Sequence, residues 1–352
     1  MAFNPNQPRV PKGSPDSGEW SSVGIRKGKK VEGKQVSLED IAAQLDKGGP
    51  LPWEEKPGMS KRELQIVRDN LAKAEKAMEE EVLFQMQQAN SGLDWYEEDV
   101  GKAFAITMQH IPQLQDPRHQ TLFSVVAGIM SPSTYPDYNW KIAAQAYEEY
   151  LKTGVMPGRN PENGQLWMGG LVSANKEKAL NMLNALIQEK GGAEAVKWLV
   201  EDHSALSRAY AVKSYGGQTA DEFRLKDSGV MLPGFTIFGP KVGPFVASLS
   251  GADTGVPVDR WATRTFNRYF KQVGTQVDGK FAMRDMPTDK QRSVINTMMS
   301  RVASRVGLKP KQVQSVSWFY EQQLYSHLGS KSRDNVGYSK GAEMYDSLKR
   351  GS

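Results

Sequence analysis

The sequence predicts a mainly α protein with at most a small β-hairpin. Most apolar clusters recur at three- and four-residue steps, not in alternation. Helix formers dominate the middle of the chain. Only "VMLPGFTIF", at 230–238, offers a plausible hairpin. The chain has 352 residues, 39% of them hydrophobic, which suffices for a sizeable core in one large domain or two small ones.

Residues 1–59 are rich in Pro, Gly, Ser and Lys, with few core-sized residues outside "LEDIAAQL". They read as a disordered basic arm with one short helix near 38–46. Residues 60–91 form a long amphipathic helix with Leu64, Val67, Leu71, Ala74 and Met78 on one face. A further helix is expected in 92–111. The stretch 122–130 is apolar nearly all round, so its helix should be buried on every side. Pro132 and Pro136 stop it, and a second helix follows over 138–152. "NPENGQLWMGG" is loop, and "ANKEKALNMLNALIQEKGG" is a helix that Gly191 or Gly192 ends.

Two shorter helical pieces follow, "AEAVKWLVEDH" and "SALSRAYAVKSY", and then an irregular stretch over 217–240. Helices are expected over 260–272 and 288–306, then a last one with Pro310 in its first turn. The helical domain therefore spans 60–328, and 329–352 is expected to be a frayed polar tail.

Composition excludes several chemistries. There is no cysteine, which removes disulfides, thiolate nucleophiles and cysteine-held metal clusters. His110, His119, His203 and His327 are not at metal-motif spacings, so neither a metal nor another cofactor is expected. No apolar run approaches a membrane span, and the N-terminus lacks the apolar core of a secretory signal. The expectation is a cytoplasmic, soluble monomer.

The net charge is only +5, but it is unevenly placed. From 241 to 310 there are twelve Lys/Arg against five Asp/Glu, whereas 61 to 110 has six against ten. Such asymmetry suggests a polyanionic partner for the late segment, with a solvated basic helix face as the plainer explanation.

That segment contains two motifs. In "FGPKVGPF", Gly239-Pro240 makes a tight turn, and Lys241 opens a helix with Val242, Phe245, Val246 and Leu249 on its apolar side. Unpaired backbone N–H groups at such a helix start can bind phosphate, with Gly239 and Gly243 in the turn. Eighteen residues on, Asp259 stands in "VPVDRWATR", where it reads as the N-cap of the next helix. Arg260, Arg264 and Arg268 follow at four-residue steps, with Lys271 nearby and no acid in 260–272. This pattern reads as a stripe that tracks a phosphate backbone.

The two motifs, in this order and spacing, resemble the helix-hairpin-helix DNA glycosylase superfamily, the group of endonuclease III. The resemblance covers roughly 92–326, and "TLFSVVAGIMSPSTYPDYNWKIAAQAYEEYL" is similar to the buried helix, turn and helix that open that fold. "DWYEEDVGKAF" and "SPSTYPDYNWKIA" resemble a phage and actinobacterial branch. "PRVPKGSPDSGEWSS" resembles short segments of phage-encoded proteins.

The resemblance implies a two-lobed helical fold with double-stranded DNA across its cleft. It implies a glycosylase that excises a damaged or modified base, with Asp259 as catalytic carboxylate. Lys241 is then either the nucleophile of an added lyase step or a phosphate contact. Ser131, Ser133 and Thr134 would probe the DNA near the lesion. Tyr135, Tyr138, Asn139 and Trp140 would line the pocket for the flipped base. Trp95, Trp318 and Phe319 are expected in the core, and His119 and His203 at caps or on the surface.

The chain departs from the family pattern in three places. Phe235, Thr236 and Ile237 separate "LPG" from "FG", Trp261 stands where relatives often have histidine, and the four-cysteine loop is missing. A non-catalytic DNA-binding protein on the same scaffold, or a phage structural or packaging component, are the alternatives.

Overall fold

The computed structural model describes residues 53–160, 164–165, 167, 171–215, 231–251, 256–272, 274–277, 280–283, 286–327 and 337–351. The expected short helix at 38–46, most of the loop at 160–170 and the irregular stretch 217–230 lie outside the described residues. Twelve α-helices account for most of these residues, so the protein is mainly α. They divide into two compact units. One gathers the described residues up to Asp94 and those from Val258 to His327; the other gathers Trp95–Pro257 and the residues from Gly337 onward.

In the first unit, helix α1 (Lys61–Met86) starts at a capping box, in which Ser60 and Glu63 satisfy each other's backbone N–H groups. Its inner face carries Val67, Ala74, Ala77, Met78 and Val82, and also Glu81 and Gln85. Helices α10 (Asp289–Val306) and α11 (Pro310–His327) pack against α1, and α9 (Arg260–Tyr269) packs against α11. Gly307, left-handed at φ 72°, ends α10. Trp53 belongs to this core, edge-on to Phe266 at 5.4 Å, so the N-terminal arm ends earlier than its composition suggests. Gly92 lets the chain pass Phe319: a Cβ there would lie 2.5 Å from the ring.

A hairpin, β3 (Gly274–Val277) with β4 (Lys280–Met283), also belongs to the first unit. The sequence signal for it is Asp278-Gly279 between the two strands. Residues 231–238 form no hairpin among themselves. Strand β2 (Leu232–Pro233) instead pairs with β1 (Asp202–His203), and 234–238 is a 3-10 turn. Pro233 cannot donate to a ladder, which keeps that pairing to two residues.

The second unit is built around α3 (Pro117–Met130), every residue of which from Leu122 onward is buried. Around it lie α2 (Val100–Thr107), α4 (Pro136–Thr153), α5 (Leu171–Lys190), α6 (Gly192–Val200), α7 (Ala205–Ser214) and α8 (Val242–Leu249). Of the expected tail, the structure describes Gly337–Gly351, and these residues are ordered. Tyr338–Arg350 is a helix, α12, docked on α2 and α4 through Tyr338, Gly341, Ala342 and Tyr345. Those residues make an apolar stripe that the surrounding charges mask. The Asp99 carboxylate accepts the Tyr338 and Ser339 N–H groups and so caps α12.

Trp95 and Phe319 are core residues, as expected, whereas Trp318 is half-buried. Among the described residues no helix is long and apolar enough to cross a membrane.

Candidate functional site

Asp259 lies in the first unit and Lys241 in the second, so each is described within its own unit. Asp259 caps α9. Its Oδ1 accepts the N–H groups of Trp261 (3.0 Å) and Ala262 (2.9 Å), while its carbonyl accepts the Thr263 N–H and hydroxyl. The preceding residue is also fixed, because Arg292 donates to the Val258 carbonyl at 3.1 Å. The carboxylate is half-buried, and Oδ2 has no hydrogen-bond partner among the described residues. Trp261 and Tyr325 meet edge-to-face, with the Arg264 guanidinium over both rings at 4.5 and 5.1 Å. Trp261 thus holds a cation beside the cap, where the resemblance expects a histidine.

The basic stripe does not hold along its length. Arg260 is exposed and Arg264 half-buried, but Arg268 is 4% exposed and points into the unit. It makes two 2.7 Å bonds to Glu81, and its Nε donates to Glu321 at 3.0 Å. Burial alone would favour a neutral guanidinium, but the Glu321 and Glu81 carboxylates outweigh it and keep Arg268 charged. Arg268 is therefore an internal ion-pair residue and no phosphate contact. Lys271, half-buried at φ 58°, ends α9.

Two more cations of the late segment are paired within the unit. Arg301 pairs with Glu75, and Arg305 with Glu75 and Glu79, across the α10–α1 contact.

In the second unit, Gly239 takes φ 104° before α8, and the Gly243 N–H donates to its carbonyl at 3.0 Å. Gly243 must be small, since a Cβ would lie 2.9 Å from the Thr236 Cα. Lys241 occupies the N-cap position of α8, half-buried. A Cβ on Gly128 would lie 2.5 Å from Val246, so the last turn of α3 rests directly on α8. That contact brings the turn 131–134 to the same end of α8 as Lys241.

Of the three probing residues, Ser131 is buried and its hydroxyl closes on the Gly128 carbonyl, so it cannot probe DNA. Ser133 is exposed, at φ 55°. Thr134 is half-buried. Its hydroxyl donates to the Met130 carbonyl at 2.7 Å and accepts from Lys176 Nζ at 2.6 Å.

The base-pocket residues divide. Tyr135 and Tyr138 are exposed. Trp140 is fully buried among Phe104, Phe123 and Tyr338, with its indole N–H on Thr107. Asn139 is buried too and donates to the Ala127 carbonyl and the Tyr338 hydroxyl. Both tie α4 to its neighbours and neither can line a pocket for a base. His119 bonds the Tyr147 hydroxyl, and His203 bonds the Trp198 carbonyl while stacking on its ring.

No family model, curated protein or solved structure matches this chain.

Lys176 is the residue that sequence reasoning missed. It is 3% exposed on α5, on the stripe of Leu180 and Leu183. Burial, with the Lys241 charge nearby, pushes its ammonium down to about 8. The sequence signal was a lysine four and seven residues before core leucines. Lys176, Thr134 and Lys241 thus bring together α5, the turn after α3 and the start of α8. The small cavity lined by Arg118, His119, Leu122, Tyr150 and Val196 is elsewhere, at the opposite end of α3.

Among the described residues no group of three His, Asp or Glu side chains could hold a metal ion.

Proposed function

We propose that the protein is a DNA N-glycosylase that releases a damaged or modified base from double-stranded DNA. Breaking the N-glycosidic bond builds positive charge on the deoxyribose. A fixed carboxylate beside the sugar stabilises that charge and orients the attacking water. Asp259 takes this role. The observation that carries the reading is how its carboxylate is held: Oδ1 takes both backbone donors, while Oδ2 has no partner among the described residues. The two N–H bonds also favour the ionised form that the reaction needs. Exposed Arg260, next to Asp259 in the same unit, supplies a phosphate contact. A cytoplasmic monomer in a phage-infected bacterial cell is the setting that accompanies this reading.

The test is release of free bases, by mass spectrometry, from genomic DNA and from duplexes carrying modified bases. Asp259→Asn keeps a good helix cap and so keeps the fold. It should lower release by at least about 100-fold and leave duplex binding, with its salt dependence, in place. Equal release by the variant would remove Asp259 from catalysis. Salt-dependent binding without release from any DNA points to the non-catalytic DNA-binding alternative. Absence of binding favours a structural or packaging component.

A further inference from the structure

We propose that the cavity at the start of α3 binds a small monocarboxylate with an apolar body. Arg118, His119 and Tyr150 hold the carboxylate, and Leu122 and Val196 hold the body. The proposal does not rest on the glycosylase reading: every group it uses lies in the second unit, at the end of α3 away from Lys241.

Three helices form the walls. The start of α3 contributes Arg118, His119 and Leu122, α4 contributes Tyr150, and the start of α6 contributes Ala193 and Val196. The cavity measures about 220 Å³. Pockets that take drug-sized ligands are larger, so its occupant is small. Leu122 and Val196 are core residues whose side chains also line this space, which makes its floor apolar.

The polar groups around that floor offer donors. Tyr147 is fully buried on α4, and its hydroxyl makes one hydrogen bond, to His119 Nδ1 at 2.7 Å. Burial pushes the Tyr147 phenol far up in pKa, so it keeps its proton. That proton has no other acceptor among the described residues, so it points at Nδ1, and the imidazole proton sits on Nε2. Nε2 has no hydrogen-bond partner among the described residues. The same holds for the Tyr150 hydroxyl. A Cβ on Gly192 would lie 3.4 Å from that hydroxyl, which places it at the first turn of α6. Arg118 binds Asp116 through Nε and Nη2, and its Nη1 makes no such bond.

This set selects a carboxylate. Three donors, with no acid among the lining residues, match a group made of acceptors. A phosphate dianion needs more positive charge than is present, because Asp116 already offsets Arg118. A monoanion is served by the hydrogen bonds, and the apolar floor removes a hydrocarbon body from water.

The test uses the full chain and benzoate as the probe, with benzamide and inorganic phosphate beside it. Benzoate should bind saturably, in the millimolar range or tighter. Its ring protons should show NOEs to the Leu122 and Val196 methyl groups. Arg118→Gln and Tyr150→Phe should each weaken binding by at least about tenfold, and benzamide should bind at least about tenfold more weakly than benzoate. Ala193→Trp, at an exposed position on the rim, should fill the cavity and abolish binding, with a melting curve to check the fold.

Benzamide that binds as tightly as benzoate overturns the carboxylate assignment. Phosphate that binds more tightly than benzoate overturns the hydrocarbon body. Benzoate binding that survives Ala193→Trp, or that gives NOEs only to other methyl groups, places the anion elsewhere and overturns the site. Absence of saturable benzoate binding overturns the proposal as a whole.

Discussion

Arg268 and Glu81 face each other through two 2.7 Å hydrogen bonds, each with less than 5% of its surface exposed. The pair joins α9 to α1, and Glu321 adds α11 through the Arg268 Nε. Tyr269 completes the network by donating to Glu81 at 2.6 Å. Three helices of the first unit therefore share one buried cation.

Removing that cation should be costly. Arg268→Met leaves the Glu81 and Glu321 carboxylates in the interior without a counter-charge, which costs about 3–5 kcal/mol. Arg268→Lys should recover only part of this, because an ammonium cannot make the paired bonds. Arg260→Ala, at an exposed site, should stay within about 0.5 kcal/mol of wild type. Denaturant titrations of the three variants check this ordering. Wild-type stability in Arg268→Met would show that the residue is not structural.

Glu321 gives a pH dependence with a defined sign. Burial raises its pKa above 4.5, against the opposing pull of Arg268. The fold thus binds this proton more tightly than the unfolded chain does. Its contribution is fully present below the unfolded pKa and is lost as pH rises through the folded one. Glu321→Gln carries no such proton, so relative to wild type it should gain stability as pH climbs from about 4.5, by up to about 1.4 kcal/mol per unit. Paired denaturation curves at acidic and neutral pH measure the difference. A difference that is flat or falls with pH would reverse the assignment.

The network also explains which parts of the fold the sequence could reveal. Helix periodicity located α3 with its Pro stop and the span of α10, because an all-apolar run and a Pro stop depend on local chemistry. It could not orient Arg260, Arg264 and Arg268. Four-residue steps advance about 40° beyond a full turn, so such a stripe spirals around the helix. Its first member meets solvent and its last meets Glu81. The acid that announces this was visible, since Glu81 sits between Met78 and Val82 on the apolar face of α1. α12 was hidden for the opposite reason: its few apolar residues lie among charges, and only Asp99 and the α4 surface give them a partner. At the candidate sites, the Asp259 cap followed from sequence alone. Lys176 did not, because its meaning depends on Thr134 and Lys241, which are distant in the chain.

Gly341 sets two effects of opposite sign against each other. Helix propensity favours Gly341→Ala by about 1 kcal/mol. Packing opposes it: the new Cβ would clash with the Asp137 carbonyl oxygen and lie 2.8 Å from the Trp140 Cβ. Backbone cannot yield as a flexible side chain can, so overpacking should win and destabilise by about 1–3 kcal/mol net. Gly101→Ala in α2 is the control. Beyond its chain neighbours and its own helix backbone, no atom lies within 4 Å of its Cβ, so propensity acts alone and the melting temperature should rise. A stabilised Gly341→Ala would mean that α12 does not dock this closely on α4.

Ser133 and Lys271 hold left-handed backbone at φ 55° and 58°, which glycine adopts without strain. A left-handed L-residue costs roughly 1–2 kcal/mol, and glycine returns roughly 0.4–1 of that through the greater freedom of its unfolded chain. Ser133→Gly should therefore stabilise the second unit by about 0.5 kcal/mol. Ser133→Ala keeps the strain and should be neutral, so the pair isolates the backbone term from loss of the hydroxyl. Lys271→Gly should gain less, because the half-buried lysine also gives up side-chain interactions. Thermal melts of all three decide it. If Ser133→Gly and Ser133→Ala melt together, the turn that holds Thr134 against Lys176 is not strained at Ser133, and the hydroxyl alone accounts for serine at that position.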